Sequence, residues 1–196
     1  MSHYFENDEL LKEKPEIIHF SIQNREYNLN SNSGVFSKEK LDTGTRILLE
    51  TVLENETNPE SVLDLGCGIG CIGIVLLSNW KCQMTMIDVN QRAVELTRLN
   101  LKQNQLDATV LCQDGIQDGL FDCILLNPPI RTGKKVIYSL FDQSMSHLKE
   151  NGRFWIVMRK QHGAASAVSY LEEKGHKVER VNRDKGYWIL KITKVS

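Results

Sequence analysis

The residues Asn127-Pro128-Pro129-Ile130 directly follow a short apolar run that is typical of a buried strand. Two consecutive prolines cannot continue a strand, because neither has an N–H to donate to a neighbouring strand. The turn therefore holds two acceptors side by side, the side-chain carbonyl of Asn127 and the main-chain carbonyl of Pro128. Such a pair can bind both hydrogens of a planar –NH2 group and aim its nitrogen lone pair at an electrophile. This would be catalysis by orientation and electrostatic preorganisation.

A glycine-rich segment, DLGCGIG at residues 64–70, follows another apolar run. Glycines at alternate positions allow a tight turn and a close approach of the backbone to a ligand. Asp64 would repel a pyrophosphate, whereas it suits a ligand with a cationic amine or sulfonium. Gly68, Gly70 and Gly73 also satisfy the dinucleotide pattern GxGxxG, so a classical dinucleotide site stays open as an alternative.

Acidic residues follow two further apolar runs. Asp88, before Val89, can accept both ribose hydroxyls of either NAD or S-adenosylmethionine (SAM). The structural alternative for Asp88 is to cap the next helix. Asp114, before Gly115, follows the third run and can accept a hydrogen bond from an adenine amino group.

Alternating strands and helices would bring these residues together. The strands are predicted over Ser61–Leu65, Gln83–Asp88, Ala108–Cys112, Asp122–Leu126 and Arg153–Met158, and the helices over residues 45–53, 70–79, 91–104, 134–149 and from about 164 to a stop at Gly175. Hairpins are predicted at both ends, Ile17–Ile22 with Glu26–Leu29 around Gln23-Asn24-Arg25, and Lys177–Asn182 with Gly186–Thr193 around Arg183-Asp184-Lys185. This order predicts an α/β fold with a doubly wound, mainly parallel sheet, whose ligands bind beyond the carboxyl ends of the strands.

Composition limits the class of protein. The 196 residues, 41% of them hydrophobic, suit one domain with a full core. We expect a cytoplasmic protein, because no apolar run approaches the ~20 residues of a membrane span and the N-terminus has no signal-peptide core. The five cysteines show no paired CxxC spacing, so no metal site is predicted.

Charge is distributed unevenly along the chain. Residues 1–130 carry 10 Lys or Arg against 19 Asp or Glu, whereas residues 131–196 carry 14 against 6. The second half either presents a cationic surface to a polyanion or merely has differently solvated helix faces. Five cations that directly follow the fourth and fifth predicted strands favour phosphate contacts at the catalytic edge: Arg131, Lys134, Lys135, Arg159 and Lys160.

The order of these motifs resembles the class I SAM-dependent methyltransferases. The Asn-Pro-Pro turn is similar to that of the branch that methylates exocyclic amines of nucleobases or the amide of glutamine. Further segments resemble the small-subunit rRNA guanine-N2 methyltransferase family, namely GVFS at 34–37, LDxGT at 41–45, VLDLGCGIG at 62–70, IDVNQRAVELTRLNLKQN at 87–104 and RKQHGA at 159–164. The resemblance covers residues 4 to 194 and matches the catalytic half of the longer family members.

The resemblance implies a seven-stranded, mainly parallel sheet with an antiparallel last strand, preceded by a β-hairpin extension. It implies one methyltransferase domain over residues 1–196, with residues 1–45 as hairpin and cofactor-covering segment and 46–196 as catalytic core. The implied reaction transfers a methyl group from SAM to N2 of a guanine in 16S rRNA, alone or in the small ribosomal subunit. A monomer and a homodimer both remain open.

The resemblance also assigns roles to residues. Catalysis would use Asn127, Pro128, Pro129 and Ile130. The cofactor would be bound by Phe36, Asp42, Gly44, Thr45, Asp64, Gly66, Cys67, Gly68, Gly70, Asp88, Val89, Asp114, Gly115 and Asn127. Arg131, Lys134, Lys135, Arg159 and Lys160 would contact the substrate RNA.

One departure from the family pattern concerns the substrate base. The fourth position of the catalytic turn is usually aromatic and stacks on the base, whereas this chain has Ile130. A base–aromatic stack contributes ~1–3 kcal/mol, so Phe36, Tyr138 or the plane of Arg131 would have to replace it.

Three alternatives remain beside the rRNA enzyme. A protein glutamine N5-methyltransferase would use the same turn on an amide. A non-catalytic SAM- and RNA-binding module would account for the missing aromatic residue. An NAD-dependent dehydrogenase is disfavoured, because no residue pattern indicates an acid or base for hydride transfer.

Overall fold

Strands and helices alternate through the part of the chain that the structure describes, residues 15–32 and 40–194. In the computed structural model the elements are β1 Pro15–Ile22, β2 Arg25–Asn32, α1 Thr43–Asn55, β3 Ser61–Leu65, α2 Cys71–Asn79, β4 Gln83–Asp88, α3 Gln91–Gln103, β5 Thr109–Cys112, β6 Phe121–Leu126, α4 Lys134–Ser146, β7 Leu148–Arg159, α5 Ala164–Glu173, β8 Lys177–Asp184 and β9 Tyr187–Thr193. Short 3-10 turns cover Ile130–Thr132 and Lys160–His162.

Seven strands form one sheet in the order β5-β4-β3-β6-β7-β9-β8. The pairs from β5 to β7 are parallel, whereas β9 runs antiparallel to both of its neighbours. Strands β3 and β6 read as continuous apolar runs because both faces of the sheet are covered. Helices α1, α2 and α3 pack with the N-terminal hairpin on one face, and α4 and α5 pack on the other. The predicted fold class is confirmed.

The register of the central strands places three of the predicted motifs at one level. Leu65 at the end of β3 lies opposite Ile87 of β4 and Leu126 of β6. The next residues along these strands are Gly66, Asp88 and Asn127. Reading the residues after each strand therefore identified neighbours in space, as expected for a parallel sheet.

Some predicted boundaries were wrong. Both hairpins turn on two residues rather than three, Gln23-Asn24 and Lys185-Gly186, each with positive φ. Two-residue turns of this kind match the twist of the flanking strands, so the pairing continues closer to the turn. Helix α1 begins at Thr43 instead of residue 45, and α4 ends at Ser146 rather than near residue 149.

The N-terminal hairpin, β1 with β2, docks on α3 through the fully buried side chain of Asn100. Asn100 Oδ1 accepts from the backbone N and from Nδ2 of Asn30 in β2, at 2.7 and 2.9 Å. Asn100 Nδ2 donates to the carbonyls of Asn30 and Ile69, at 3.0 and 2.9 Å. One amide thus joins the hairpin to the glycine-rich segment after β3. Within the described residues, no helix is both long and apolar enough to cross a bilayer.

Candidate active site

The glycine-rich segment after β3 folds into a loop that is bordered by open space at Gly66 and Gly68. The N–H groups of Gly66 and Cys67 both donate to the Ile87 carbonyl, at 2.8 Å. Gly66 and Gly68 have φ angles of 72° and 57°, and a Cβ added at either would meet no atom within 4 Å. The positive φ angles explain the glycines, and the open space beside them lets a ligand approach the backbone. Gly70 ends the loop as the residue before α2.

The Cys67 side chain turns inward from this loop. It is buried, and its Sγ lies 3.7 Å from Thr97 Oγ1, while the Thr97 hydroxyl donates to the Gly68 carbonyl at 2.7 Å. Burial raises the pKa of the Cys67 thiol, and the charge of Asp64 raises it further. The thiol therefore stays neutral, and Cys67 can offer a ligand only its backbone.

Asp64 is a fully buried carboxyl group in β3, beneath the loop. Its Oδ2 accepts from the Gly73 backbone N at 3.0 Å, whereas its Oδ1 has no hydrogen-bond partner among the described residues. Burial raises the pKa of Asp64 to about 7, against the Gly73 hydrogen bond, and the charge of Asp88 adds to the rise. A buried oxygen without a partner costs about 1–3 kcal/mol. A cationic ligand group would remove that cost.

Asp88 at the end of β4 binds the neighbouring backbone. Its Oδ2 accepts from Gly68 N at 2.8 Å and its Oδ1 accepts from Asn90 N at 2.9 Å. Asn90, and not Asp88, caps α3 by accepting from Ala93 N. The helix-capping alternative for Asp88 is therefore wrong. Each carboxylate oxygen keeps a second lone pair that a ligand hydroxyl can use.

The flanking cofactor candidates lie at the same edge of the sheet. Val89 follows half-buried Asp88 and is 66% exposed. Asp114 is exposed and Gly115 buried, two and three residues after Cys112, which pairs with Asp88. Phe36 lies outside the described residues. Binding of a cofactor by these positions stays a prediction.

The predicted catalytic turn leaves β6 at Asn127, which is half-buried, and continues through buried Pro128 to exposed Pro129 and Ile130. The Pro129 carbonyl accepts from the backbone N and the hydroxyl of Thr132, at 2.9 and 2.6 Å. The 3-10 turn thus occupies the carbonyl of Pro129, whereas the carbonyl of buried Pro128 lies next to Asn127 in the chain.

Asn127 contacts the first turn of α1. Its Nδ2 donates to Thr45 Oγ1 at 3.0 Å and to Asp42 Oδ2 at 3.2 Å. The same Asp42 oxygen caps the helix by accepting from Thr45 N at 2.9 Å. The sequence assigned Asp42, Gly44 and Thr45 to the cofactor. The structure joins Asp42 and Thr45 to Asn127.

The five predicted RNA-binding cations lie on two neighbouring loops at the same edge. Arg131 belongs to the 3-10 turn after Asn127, and Lys134 and Lys135 begin α4. Arg159 ends β7, which pairs with β6, and Lys160 follows it. All five side chains are exposed. The structure therefore brings them together around the catalytic turn.

Tyr187 is a residue at this edge that the sequence reasoning missed. It starts β9 opposite Arg159, whose guanidinium carbon lies 5.2 Å from the centre of the Tyr187 ring. A Cβ added at Gly44 would lie 2.8 Å from Tyr187 Cε1 and 3.2 Å from Asp42 Oδ2, so the ring packs against the start of α1. The sequence reasoning searched for site residues only at the carboxyl ends of strands. Because β9 is antiparallel, the residue that it places at this edge is its first one.

Tyr138, a candidate to replace the missing aromatic residue, is engaged elsewhere. Its ring stacks on Tyr170 with centroids 4.1 Å apart, between α4 and α5. This stack covers one face of the ring. Across residues 15–32 and 40–194, no cluster of three His, Cys, Asp or Glu side chains is arranged to hold a metal ion.

Known proteins share the sequence and fold. The chain is 41% identical to the uncharacterized protein YbxB of Bacillus subtilis (strain 168), over 98% of both chains. It is 37% identical to ribosomal RNA small subunit methyltransferase C of Haemophilus influenzae (strain 86-028NP), where 72% of this chain aligns with 50% of the relative. The chain thus spans about half the length of these named methyltransferases.

Solved structures support the fold at lower identity. The T. thermophilus 16S rRNA N2 G1207 methyltransferase (RsmC), solved in complex with AdoMet and guanosine, superposes with a TM-score of 0.79 at 24% identity, covering 92% of this chain and 51% of that chain. A ribosomal protein L11 methylase from Lactobacillus delbrueckii subsp. bulgaricus gives a TM-score of 0.71 at 19% identity, covering 83% of this chain and 82% of that one. These matches establish the methyltransferase fold.

The described motifs all fall within one family match. The methyltransferase small domain family matches residues 26–191, which extend from the second strand of the hairpin to the last strand of the sheet. The glycine loop, both strand-end acids and the catalytic turn lie inside this range. The resemblance that the sequence motifs indicated is thereby confirmed, and the chain belongs to the methyltransferase small domain family.

Proposed function

We propose that this chain is a SAM-dependent enzyme that methylates the exocyclic N2 amine of a guanine in small-subunit rRNA. The observation that carries the proposal is the position of the Asn127-Pro128 acceptor pair. It leaves β6 at the level where the glycine loop leaves the adjacent strand β3. A flat amine held by this pair would face a ligand held by that loop. The relatives named as small-subunit rRNA methyltransferases support the substrate class.

SAM, when bound, supplies a methyl group made electrophilic by a sulfonium. The residues of the edge fit this cofactor. Asp64 offers a buried carboxylate oxygen without a partner to a cationic group, and Gly66 and Gly68 offer an open backbone. Asp88 would use its remaining lone pairs to accept from the ribose hydroxyls, and Asp114 would accept from the adenine amine.

Asn127 and Pro128 would act on the substrate amine by orientation. The Asn127 Oδ1 and the Pro128 carbonyl each accept one amine hydrogen, which withdraws the nitrogen lone pair from conjugation with the ring. The lone pair then points toward the glycine loop. No strong base is required, because the nitrogen becomes acidic as it gains the methyl group and releases a proton afterwards.

Tyr187 and Arg159 would provide the stacking surface that Ile130 lacks. The two side chains stack on each other at the carboxyl end of β7, the strand next to β6. Ile130 is 37% exposed and offers only an aliphatic contact. A base held between the ring and the turn would gain the ~1–3 kcal/mol of an aromatic stack.

The five exposed cations that lie after β6 and at the end of β7 would bind RNA phosphates. We expect that neutralising Lys134 and Lys135 to Gln weakens RNA binding and lowers the slope of log K against log salt by about one per lost phosphate contact. Lys177→Gln is the matched control, because Lys177 begins β8 at the opposite end of the strands. An equal loss of RNA affinity in Lys177→Gln would contradict a specific role for the cations that follow β6 and β7.

The first experiment is methyl transfer from labelled SAM to small-subunit rRNA, with nucleoside mass spectrometry of the product. N2-methylguanosine supports the proposal. Asn127→Ala should retain SAM binding and lose turnover, whereas Asn28→Ala, exposed on the hairpin, should retain both. Turnover at the wild-type rate in Asn127→Ala would refute the mechanism.

A glutamine amide is the second candidate substrate. It presents the same planar –NH2 group to the two acceptors. The exposed side chain of Ile130 is aliphatic, and it can contact a glutamine side chain as well as a nucleobase. Label in a protein fraction with no label in RNA would favour this alternative. SAM binding with no transfer to either fraction would favour a non-catalytic module.

A further inference from the structure

The side-chain amide of Asn127 is held by two acceptors on the first turn of α1. Its Nδ2 lies 3.0 Å from Thr45 Oγ1 and 3.2 Å from Asp42 Oδ2. A primary amide nitrogen carries two hydrogens, and each has an acceptor in this arrangement. Asp42 and Asn127 are separated by 85 residues, so the contact depends on how α1 packs over the sheet.

The carboxylate fixes the direction of these hydrogen bonds. An ionised Asp can only accept, so the group of Asn127 that faces Asp42 must be the NH2. The Thr45 hydroxyl lies 3.3 Å from the same Asp42 oxygen and can donate to it, which leaves a lone pair for Asn127. The Asn127 carbonyl oxygen is therefore turned away from α1.

We propose that Asp42 and Thr45 are positioning residues that keep the Asn127 carbonyl oxygen directed at the methyl-accepting amine. The proposal rests on the proposed function of Asn127. It also has an electronic part, because a hydrogen bond to a charged acceptor is roughly twice as strong as a neutral one. Donation of both amide hydrogens, one to a carboxylate, shifts electron density to Oδ1 and makes it a better acceptor.

Helix capping alone does not account for the contact. The cap consists of the hydrogen bond from Thr45 N to Asp42 Oδ2, at 2.9 Å. Serine caps helices about as well as aspartate, and its hydroxyl is one bond shorter. Asp42→Ser should therefore keep the cap and lose the reach to Asn127. Asp42→Asn should keep both, because a single side-chain oxygen makes the cap and the contact.

Rates and cofactor affinity separate positioning from cofactor binding. Asp42→Ser and Thr45→Val should each lower kcat by about 10- to 100-fold, the cost of a misplaced catalytic group. SAM dissociation constants should stay within about twofold of wild type, since only catalysis depends on the amide orientation. Asp42→Asn should recover most of the rate that Asp42→Ser loses. An unchanged kcat, or a weaker SAM affinity that accounts for the whole loss, would overturn the proposal.

A second measurement does not depend on any substrate. In a 1H–15N spectrum, the Asn127 side-chain NH2 signals are assigned by their loss in Asn127→Ala. In the wild type they should exchange slowly and lie downfield of an exposed asparagine, and Asp42→Ser combined with Thr45→Val should move them to free-amide positions. Signals that do not move would overturn the proposal.

The two measurements also separate this inference from the proposed function. If the wild type methylates no RNA, the proposed function fails, and the amide signals still decide whether Asp42 and Thr45 hold Asn127. If RNA is methylated but neither the amide signals nor kcat change in Asp42→Ser and Thr45→Val, the positioning role is refuted and the proposed function stands. In the Asn127→Ala background, Asp42→Ser should not lower the residual rate further, because its effect acts through the missing amide.

Discussion

Replacing Asp64 with Asn should make stability less dependent on pH. The buried carboxyl has a pKa raised to about 7 from an ordinary 3.8, chiefly by burial. The unfolded chain therefore releases this proton at lower pH than the folded protein, and folding stability falls as pH rises through the interval between the two values. The stabilising contribution is fully present below about pH 4 and lost by about pH 7.

The magnitude of this pH effect follows from the interval between the pKa values of Asp64 in the unfolded and folded states. Within it, the free energy of unfolding of the wild type should fall relative to Asp64→Asn by about 1.4 kcal/mol per pH unit. Between about pH 5 and pH 7 this amounts to about 2 kcal/mol, because the titration curve flattens near the upper pKa. Asp64 is 0% exposed, so solvent screening does not reduce this value.

Urea unfolding of both proteins over this pH range measures the difference. Asp122→Asn is the control, because the pKa of Asp122 is lowered despite its partial burial, through hydrogen bonds from Ser61 and the charge of Lys149. The free-energy difference between wild type and this variant should stay flat over the same range. A flat difference for Asp64→Asn as well would refute the reasoning.

Saturating SAM provides the link to function. A cationic group near the free Asp64 oxygen would stabilise the ionised carboxyl and reduce the pH slope. SAM affinity should accordingly rise as pH increases toward and past about 7. A slope that SAM leaves unchanged would show that Asp64 does not face the charged part of the cofactor.

Substitutions at three further positions, two at the site and one in the core of the fold, test the packing. Tyr187→Ala should lower kcat/KM for RNA by about 10- to 100-fold through loss of a stack, and Tyr187→Phe should retain most of it. Gly44→Ala should leave thermal stability within about 1 kcal/mol, because Ala favours a helix, yet weaken RNA methylation, because its Cβ would meet Tyr187 Cε1 at 2.8 Å. Glu56→Ala should reduce the free energy of unfolding by about 2–4 kcal/mol, since it removes the 4%-exposed partner of Arg153; the exposed Glu54→Ala should change it by less than about 0.5 kcal/mol in the same urea titration.

The parallel part of the fold was predictable because its strands are short apolar runs separated by amphipathic helices. The order of the runs then located Asp64, Asp88 and Asn127 at one edge, since Asp64 and Asp88 lie in the last two residues of their strands and Asn127 directly follows its strand. This reasoning missed Tyr187 because β9 is antiparallel, so that its first residue, and not its last, lies at the edge of the sheet that carries the site. A rule that includes the first residue of an antiparallel strand would have found it.

The contact of Asp42 with Asn127 was not predictable from local patterns. In the structure Asp42 caps α1 by accepting from Thr45 N. Its contact with Asn127 depends on how α1 packs on the sheet, which is set by residues far apart in the chain. Turn geometry was missed for another reason, because three-residue loops were predicted where residues with positive φ allow two.

The buried amide of Asn100 gives the N-terminal hairpin a thermodynamic connection to the glycine-rich loop after β3. A two-stranded hairpin is marginally stable alone, so β1 and β2 stay folded through contacts such as those between Asn30 and Asn100. The same side chain donates to the Ile69 carbonyl in the loop. The hairpin and the loop are therefore both hydrogen-bonded to the same side chain, and local opening of one should weaken the other. The rate at which backbone amide protons in β2 exchange with solvent will report how stable the loop is.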